Sequence, residues 1–252
     1  MEVASLAVYA RRLFGAFGLD ITRQDSSVLE PEFLRYLKRC SPFTMVSRER
    51  LYAHFKAVQH VVRHDIPGDI VECGVWRGGT SMLGALTLLG LQETSRHLWL
   101  YDTFAGMTEP TAADVSPWDG DQAARLWKAG RRDEHNEFCF AALEDVQQNL
   151  ASTSFPAARS RFVKGDVLET LKVSVPEKIA VLRLDTDWYE STRAEMEVLF
   201  PRLSKGGVLL IDDYGAWEGC KKAVDEYLAA NDIPLMLHRT DYTGRSAIKV
   251  TD

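Results

Sequence analysis

The chain has 252 residues, a length that fits one large α/β domain or one domain with an appended helical segment, and its 46% hydrophobic and 26% charged residues are those of an ordinary globular protein. Its net charge of −6 and isoelectric point near 5.6 argue against nucleic acid or an anionic membrane as the main partner. The four cysteines, Cys40, Cys73, Cys139 and Cys220, are far apart and include no CxxC pair, so neither a zinc site nor a disulfide framework is indicated.

The first 65 residues are predicted to be helical. Between Val3 and Phe17, apolar residues recur at helical spacing, which predicts an amphipathic helix that packs on the domain or across a dimer; a helix on a membrane surface is the alternative. Arg11 and Arg12 interrupt this stretch, which is unlike a secretory signal. No apolar run reaches the roughly 18 residues that span a bilayer, so we expect a cytoplasmic protein without membrane contact. Residues 1–65 are interpreted as a helical segment that provides lid or oligomer contacts.

From residue 66 the pattern changes to short apolar runs that alternate with helical segments. The runs are "DIVECGV", "HLWLYDTF", "SRFVKGD", "AVLRLDTD" and "GGVLLIDD". This alternation predicts a doubly wound parallel sheet with right-handed crossovers. The last runs, "PLMLHRT" and "RSAIKV", are separated by "DYTG" and predict that the sheet ends in an antiparallel pair. Residues 66–252 are therefore predicted to form one domain.

An irregular insertion is predicted at residues 105–140, after the second strand. A long insertion on the ligand side of a compact α/β domain is usually a lid or a substrate wall. The alternative is a mobile surface loop without a role.

A glycine-rich loop, "VECGVWRGGTS", follows the first strand and begins a helix. Backbone N–H groups at such a helix start can bind a polar ligand, and glycine permits close approach. Gly74, Gly78 and Gly79 do not have the GxGxxG spacing of dinucleotide folds, and no P-loop motif is present. The loop is thus predicted to bind a nucleoside without these fingerprints.

Three acids follow the first three strands and indicate which nucleoside is bound. Glu72 can pair with an ammonium group, Asp102 can accept from ribose hydroxyls, and Asp166 can face an adenine amino group. Amine, ribose and adenine partners in this order predict S-adenosylmethionine rather than a nicotinamide cofactor.

Four aspartates follow the fourth and fifth strands: Asp185 and Asp187, then Asp212 and Asp213. Neighbouring strands would bring them into one patch, where four ionised carboxylates repel one another. A hard divalent cation removes that penalty, and oxygen ligands favour Mg²⁺ over zinc. The alternatives are a helix N-cap for Asp187 and a solvated Asp213.

A metal beside a sulfonium methyl donor predicts O-methyl transfer. A bound cation lowers the pKa of an attacking hydroxyl and orients it, and a nearby carboxylate takes the proton. Asp185 and Asp187 are the candidates for ligand and base.

The segments "PGDIVECGVWRGG", "LYDTFAGM", "VLRLDTDWYEST" and "PRLSKGGVLLIDDY" resemble the macrocin O-methyltransferase family over roughly residues 40–230. The resemblance implies a class I methyltransferase fold, a seven-stranded sheet whose last strand is antiparallel. It also implies S-adenosylmethionine, Mg²⁺, a dimer or larger homo-oligomer, and an acceptor hydroxyl on a deoxysugar of a natural product.

The resemblance also implies roles for individual residues. Asp185, Asp212 and Asp213 would bind the metal, and Asp187 would be the base, although Asp185 and Asp187 could exchange roles. The residues implied to bind the cofactor are Thr44, Met45, Glu72, Gly74, Trp76, Thr80, Ser81, Asp102, Asp166 and Val167.

Other functions remain open at this point. A phenol or catechol acceptor would leave the metal chemistry unchanged. "DTD" also fits the DxD motif of glycosyltransferases, which explains neither "ECGVWRGG" nor "IDDY". A protein that binds the cofactor without transferring methyl is a non-catalytic alternative. Trp118, Trp127 and His135 of the insertion could contact the acceptor or be structural.

Overall fold

The structure is a computed structural model that describes residues 30–251. The amphipathic helix predicted between Val3 and Phe17 lies outside the described residues. Within residues 30–251, no helix is long and apolar enough to cross a membrane.

Two helices precede the sheet, within the first 65 residues that are predicted to be helical. Helix α1 covers Pro31–Cys40, with proline at its first turn, where a missing N–H costs nothing. Helix α2 covers Arg48–Arg63, and the hydroxyl group of Ser47 accepts from the backbone N–H of Arg50 at 3.2 Å. Both helices pack against α3, which covers Gly79–Gly90.

The seven strands form one sheet in the order β3-β2-β1-β4-β5-β7-β6. Strand β7 is antiparallel to β5, and β6 is antiparallel to β7, which confirms the predicted ending. Every apolar run that predicts a strand overlaps one. The strands are β1 Asp69–Cys73, β2 Leu98–Asp102, β3 Ser160–Lys164, β4 Ile179–Leu184, β5 Leu203–Ile211, β6 His238–Arg239 and β7 Arg245–Ile248.

Helices cover both faces of the sheet, as in other parallel sheets. The remaining helices are α4 Gln122–Gly130, α5 Leu143–Ala151, α6 Val167–Thr170, α7 Tyr189–Val198 and α8 Glu218–Ala230. One apolar core lies between the sheet and helices α1, α2, α3 and α5, and the other lies between the sheet and α6, α7 and α8.

The insertion at 105–140 is less irregular than the sequence pattern predicts. Helix α4 lies within it, formed by good helix formers in "QAARLWKAG". Two isolated bridges, Ser116 to Gly120 and Arg131 to Asn136, close short turns on either side of this helix. The prediction of an irregular segment is therefore wrong for residues 122–130.

A buried carboxyl group lies behind the end of β4. Glu195 of α7 is fully buried, and its Oε1 accepts from the hydroxyl group of Thr186 at 2.9 Å. Burial raises the pKa of Glu195 from 4.5 to about 8, because the charged form is poorly solvated there.

We expect Glu195→Gln to flatten the pH dependence of stability. Because the folded-state pKa exceeds the unfolded value, the stabilising contribution of Glu195 is complete below about pH 4.5 and is lost as the pH rises through about 8. Urea unfolding between about pH 6 and about pH 8 should show a wild-type free energy that declines by up to about 1.4 kcal/mol per pH unit more than that of the variant. Glu197→Gln, at an exposed carboxylate paired with Arg193, is the matched control and should keep the wild-type slope. Equal slopes for wild type and Glu195→Gln would contradict the expectation.

Candidate active site

The carboxyl ends of β1, β2, β4 and β5 meet at one edge of the sheet and surround a cavity of about 250 Å³. The strand order reverses between β1 and β4, and ligands of open α/β sheets bind in the crevice at such a point. Strand register aligns Cys73, Leu184 and Ile211 across β1, β4 and β5. The residues one position further, Gly74, Asp185 and Asp212, therefore follow these strands at one level.

The glycine-rich loop forms one wall of this cavity. Gly74 has a φ of +81°, and a Cβ atom there would lie 1.9 Å from the backbone oxygen of Asp185, so this position requires glycine. The backbone N–H groups of Val75 and Trp76 donate to Oδ2 of Asp102 at 2.7 and 3.0 Å. The loop is thus held against the end of β2 by the chain itself.

Asp102 is surrounded by donors at the end of β2. In addition to the loop contacts, its Oδ1 accepts from the backbone N–H of Phe104 at 2.7 Å. Burial raises the pKa of Asp102, and these backbone hydrogen bonds oppose that shift because they favour the ionised form. The carboxylate is fixed in orientation and still lines the cavity.

Two further segments complete this part of the cavity wall. Thr44 and Met45 lie in the loop before α2, which touches the start of α3: a Cβ on Gly79 would lie 2.7 Å from Cβ of Thr44. Asp166 caps α6 by accepting from the backbone N–H of Leu168 at 2.9 Å. Asp166 and the following Val167 both line the cavity.

Glu72 is buried between two donors. The hydroxyl group of Ser81 donates to its Oε2, and Arg183 donates to its Oε1 at 2.7 Å. Burial raises the pKa of Glu72, against the lowering effect of the Arg183 charge. All the residues predicted to bind the cofactor line the cavity except Ser81. Ser81 lies behind the cavity wall and donates a hydrogen bond to Glu72, which lines the cavity.

Three of the four aspartates form a compact acidic cluster. Carboxylate oxygens of Asp185, Asp187 and Asp213 lie within 4.8 Å of one another. Burial raises the pKa of all three, with the charges of neighbouring carboxylates adding to the effect, and brings that of Asp187 to about 7. Oδ2 of Asp213 is buried and has no hydrogen-bond partner among residues 30–251. An unpaired buried oxygen among hard oxygen donors fits a divalent cation such as Mg²⁺.

Asp212 has different partners from the other three aspartates. Its Oδ1 accepts from Arg183 at 2.7 Å, and its Oδ2 contacts Arg50 of α2. Arg50 also pairs with Asp241 at 2.9 Å, in the turn between β6 and β7. Asp212 is therefore neutralised by two guanidinium groups, whereas Asp187 and Asp213 form no ion pair within the described part of the chain.

Arg183 is the largest feature that the sequence analysis missed. It is 2% exposed and donates to Glu72, Asp185 and Asp212, each at 2.7 Å. Its signal in the sequence is one charged residue inside the apolar run "AVLRL" of β4. A buried charge needs partners, and the nearby strand ends supply them.

The insertion contributes Gly106, Met107, Thr108 and Cys139 to the cavity wall. The three residues considered above as acceptor contacts do not line the cavity. Trp118 packs beside Tyr242, Trp127 donates to the backbone oxygen of Met107 at 3.1 Å, and His135 packs against Phe140.

Comparison with known proteins identifies the family of this chain independently of the geometry of the cavity. A family model described as macrocin-O-methyltransferase (TylF) matches residues 39–247. The 8-demethyl-8-(2,3-dimethoxy-alpha-L-rhamnosyl)-tetracenomycin-C 4'-O-methyltransferase of Streptomyces olivaceus is 37% identical over 201 residues, 80% of this chain and 73% of that protein. The demethyldecarbamoylnovobiocin O-methyltransferase of Streptomyces niveus is 35% identical, with the same coverage.

Solved structures agree with the sequence relatives. The O-methyltransferase NovP is 32% identical, superposes with a TM-score of 0.73 and covers 83% of each chain. The calicheamicin methyltransferase CalS11, at 21% identity and a TM-score of 0.57, shares the fold. These similarities confirm the predicted class I methyltransferase fold. The chain belongs to the macrocin O-methyltransferase family and is an O-methyltransferase.

Proposed function

We propose that this enzyme transfers a methyl group from S-adenosylmethionine to a hydroxyl group of a deoxysugar, with the help of Mg²⁺. The deoxysugar is free, nucleotide-linked or part of a natural-product glycoside. The observation that carries the proposal is one cavity that holds both the predicted cofactor residues and a cluster of three aspartates.

The cofactor proposal rests on acids that are already oriented. Glu72 would receive the ammonium group, Asp102 the ribose hydroxyls, and Asp166 with Val167 the adenine ring. A carboxylate has about four acceptor positions. Asp102 accepts three backbone N–H bonds and a long one, of 3.5 Å, from the hydroxyl group of Thr103, and it lines the cavity, so a ribose hydroxyl would replace the weak Thr103 contact. When bound, S-adenosylmethionine supplies an electrophilic methyl group on sulfur.

The metal proposal rests on Asp185 and Asp213, which belong to the predicted set and to the acidic cluster. The resemblance implies Asp212 as the third ligand and leaves Asp187 open as a ligand in exchange with Asp185; Asp187, rather than Asp212, lies in the acidic cluster. When bound, the cation would lower the pKa of the acceptor hydroxyl and orient it.

Asp187 is our candidate for the general base. Burial and the neighbouring Asp185 raise its pKa to about 7 without a bound cation, and a bound cation would lower that pKa toward the ionised form that accepts a proton. Its Oδ2 accepts from the indole N–H of Trp217 at 3.1 Å, and its carboxyl group faces that of Asp213. Asp187 would hold that proton while the methyl group is transferred.

The acceptor class is inferred from the relatives. One is named for a rhamnosyl 4'-hydroxyl and another as a mycinamicin III 3''-O-methyltransferase, the latter 32% identical. These names favour a sugar hydroxyl over a phenol or catechol. Location in the cytoplasm and a homodimer or larger assembly stay predictions.

We expect S-adenosylhomocysteine to bind the purified protein with micromolar affinity in both Mg²⁺ and EDTA, because the predicted cofactor residues do not depend on the cation. Isothermal titration measures this directly. Addition of a deoxysugar glycoside should then cause acceptor-dependent release of S-adenosylhomocysteine from S-adenosylmethionine in Mg²⁺. Absence of binding in both buffers would contradict the cofactor assignment, and binding without any transfer would favour the non-catalytic alternative.

We expect Asp213→Asn to weaken Mn²⁺ binding by at least about tenfold, because it removes a charged ligand oxygen, while S-adenosylhomocysteine binding stays near the wild-type value. Titration of Mn²⁺ into the complex with S-adenosylhomocysteine measures the first affinity, and titration of S-adenosylhomocysteine in EDTA measures the second. Asp232→Asn, on an exposed loop, is the control for lost charge. A wild-type Mn²⁺ affinity in Asp213→Asn would contradict the metal assignment.

Asp212→Asn identifies the third ligand in the same assay. A loss as large as that of Asp213→Asn would support Asp212 as a ligand, and a wild-type affinity would exclude it and favour Asp187 as a ligand, with Asp185 then the candidate base.

A further inference from the structure

The helices that follow the two aspartate pairs begin without caps of their own. Trp188 occupies the N-cap position of α7, and Trp217 occupies that of α8. Neither helix has a hydrogen bond from its own N-cap side chain, and an indole has no acceptor to offer. The first backbone N–H groups of a helix need acceptors, so these must come from elsewhere in the chain.

The insertion supplies these acceptors from two consecutive residues. Oδ1 of Asp114 accepts from the backbone N–H of Tyr189 at 2.7 Å, at the first turn of α7. The backbone oxygen of Val115 accepts from the backbone N–H of Glu218 at 3.0 Å, at the first turn of α8. Residues 114 and 115 thus cap both helices.

Asp114 is buried and held in place. It is 2% exposed, and its Oδ2 accepts from the backbone N–H and the hydroxyl group of Thr111 at 2.7 and 2.8 Å. A Cβ atom on Gly219 would lie 2.1 Å from Oδ1 of Asp114, so the carboxylate also lies against the start of α8. Its negative charge faces the positive ends of two helix dipoles.

The two N-cap tryptophans also link the insertion and α8 to Asp187, the candidate base. The indole N–H of Trp217 donates to Asp187, and that of Trp188 donates to the backbone oxygen of Thr108 at 3.0 Å. The two indole rings pack edge to face with centroids 5.2 Å apart. Asp187 has a φ of +68°, a conformation that persists in a non-glycine residue only when its surroundings enforce it.

We propose that Asp114 is a positioning residue that fixes the separation of Asp187 from Asp213 by joining the first turns of α7 and α8. The segment Thr108–Val115 is then part of the support of the acidic cluster rather than a mobile cover. This inference rests on the proposed function of the cluster in metal binding and proton transfer.

A purely structural role for Asp114 makes a different prediction. Asn136 is also a buried polar residue of the insertion, and its side-chain amide donates to the backbone oxygen of Trp127 at 2.8 Å. It anchors the insertion, and its side chain forms no hydrogen bond with α7 or α8 within residues 30–251. If Asp114 only stabilises the insertion, Asp114→Asn and Asn136→Ala should have similar effects on the site.

The test compares Asp114→Asn, Thr111→Val and Asn136→Ala in the full-length protein. Asp114→Asn keeps the shape but cannot accept from both Thr111 and Tyr189. Thr111→Val keeps the charge of Asp114 and removes the hydroxyl group that orients it. Mn²⁺ affinity is titrated in the presence of S-adenosylhomocysteine, and kcat and KM are measured with methyl α-L-rhamnopyranoside.

We expect Asp114→Asn to weaken Mn²⁺ binding and lower kcat by about tenfold or more each, with KM and S-adenosylhomocysteine affinity within about threefold of wild type. Thr111→Val should show a smaller loss in the same direction, and Asn136→Ala should keep wild-type Mn²⁺ affinity. Equal Mn²⁺ affinities in Asp114→Asn and Asn136→Ala, or no loss in Asp114→Asn, would overturn the proposal. A wild-type protein that binds no Mn²⁺ would instead refute the metal part of the proposed function, and the proposal with it.

Discussion

One buried guanidinium group joins the three central strands at the edge where the cavity lies. Arg183 contacts Glu72 from β1, Asp185 from β4 and Asp212 from β5. Burial alone would lower the pKa of Arg183, but these carboxylates raise it well above its ordinary value. The group therefore stays charged, and it offsets a repulsion that would otherwise separate the ends of the strands. Removing one partner of a buried ion pair typically costs about 3–5 kcal/mol.

This arrangement divides the acidic residues into two sets. Glu72 and Asp212 are neutralised by arginines of the chain, while Asp187 and Asp213 have no such partner among the described residues. Asp185 belongs to both sets, since it contacts Arg183 and lies in the acidic cluster. The carboxylates that a bound cation could neutralise are thus concentrated in the acidic cluster. Arg50 of α2 pairs with Asp212 and also with Asp241 in the turn between β6 and β7. The first set therefore joins three segments that are distant in sequence.

The sequence predicts the parts of the molecule that depend on local patterns. Apolar runs of strand length, and the acids that end them, identify β1 to β5 and the cavity edge, because parallel strands end at one side of a sheet. The same patterns cannot assign partners to Arg50 and Arg183, whose ion pairs join residues more than a hundred positions apart or on different strands. Nor can they separate Asp212 from the acidic cluster, since that distinction depends on side-chain geometry. Helix α4 was missed because the polar and glycine-rich residues around it resemble a loop.

Because Asp114 and Val115 cap α7 and α8, only part of the insertion can be exchanged for that of a related protein without loss of these caps. The insertion residues that line the cavity, Gly106, Met107, Thr108 and Cys139, lie near the two ends of the insertion, whereas α4 lies between them. A graft that exchanged only residues 117–135 would leave both helix caps and these lining residues in place. Exchange of the whole insertion would also replace Asp114 and Val115, and the incoming loop would have to carry equivalent acceptors at the right spacing. The insertion is therefore a module with a fixed inner part and a replaceable outer part.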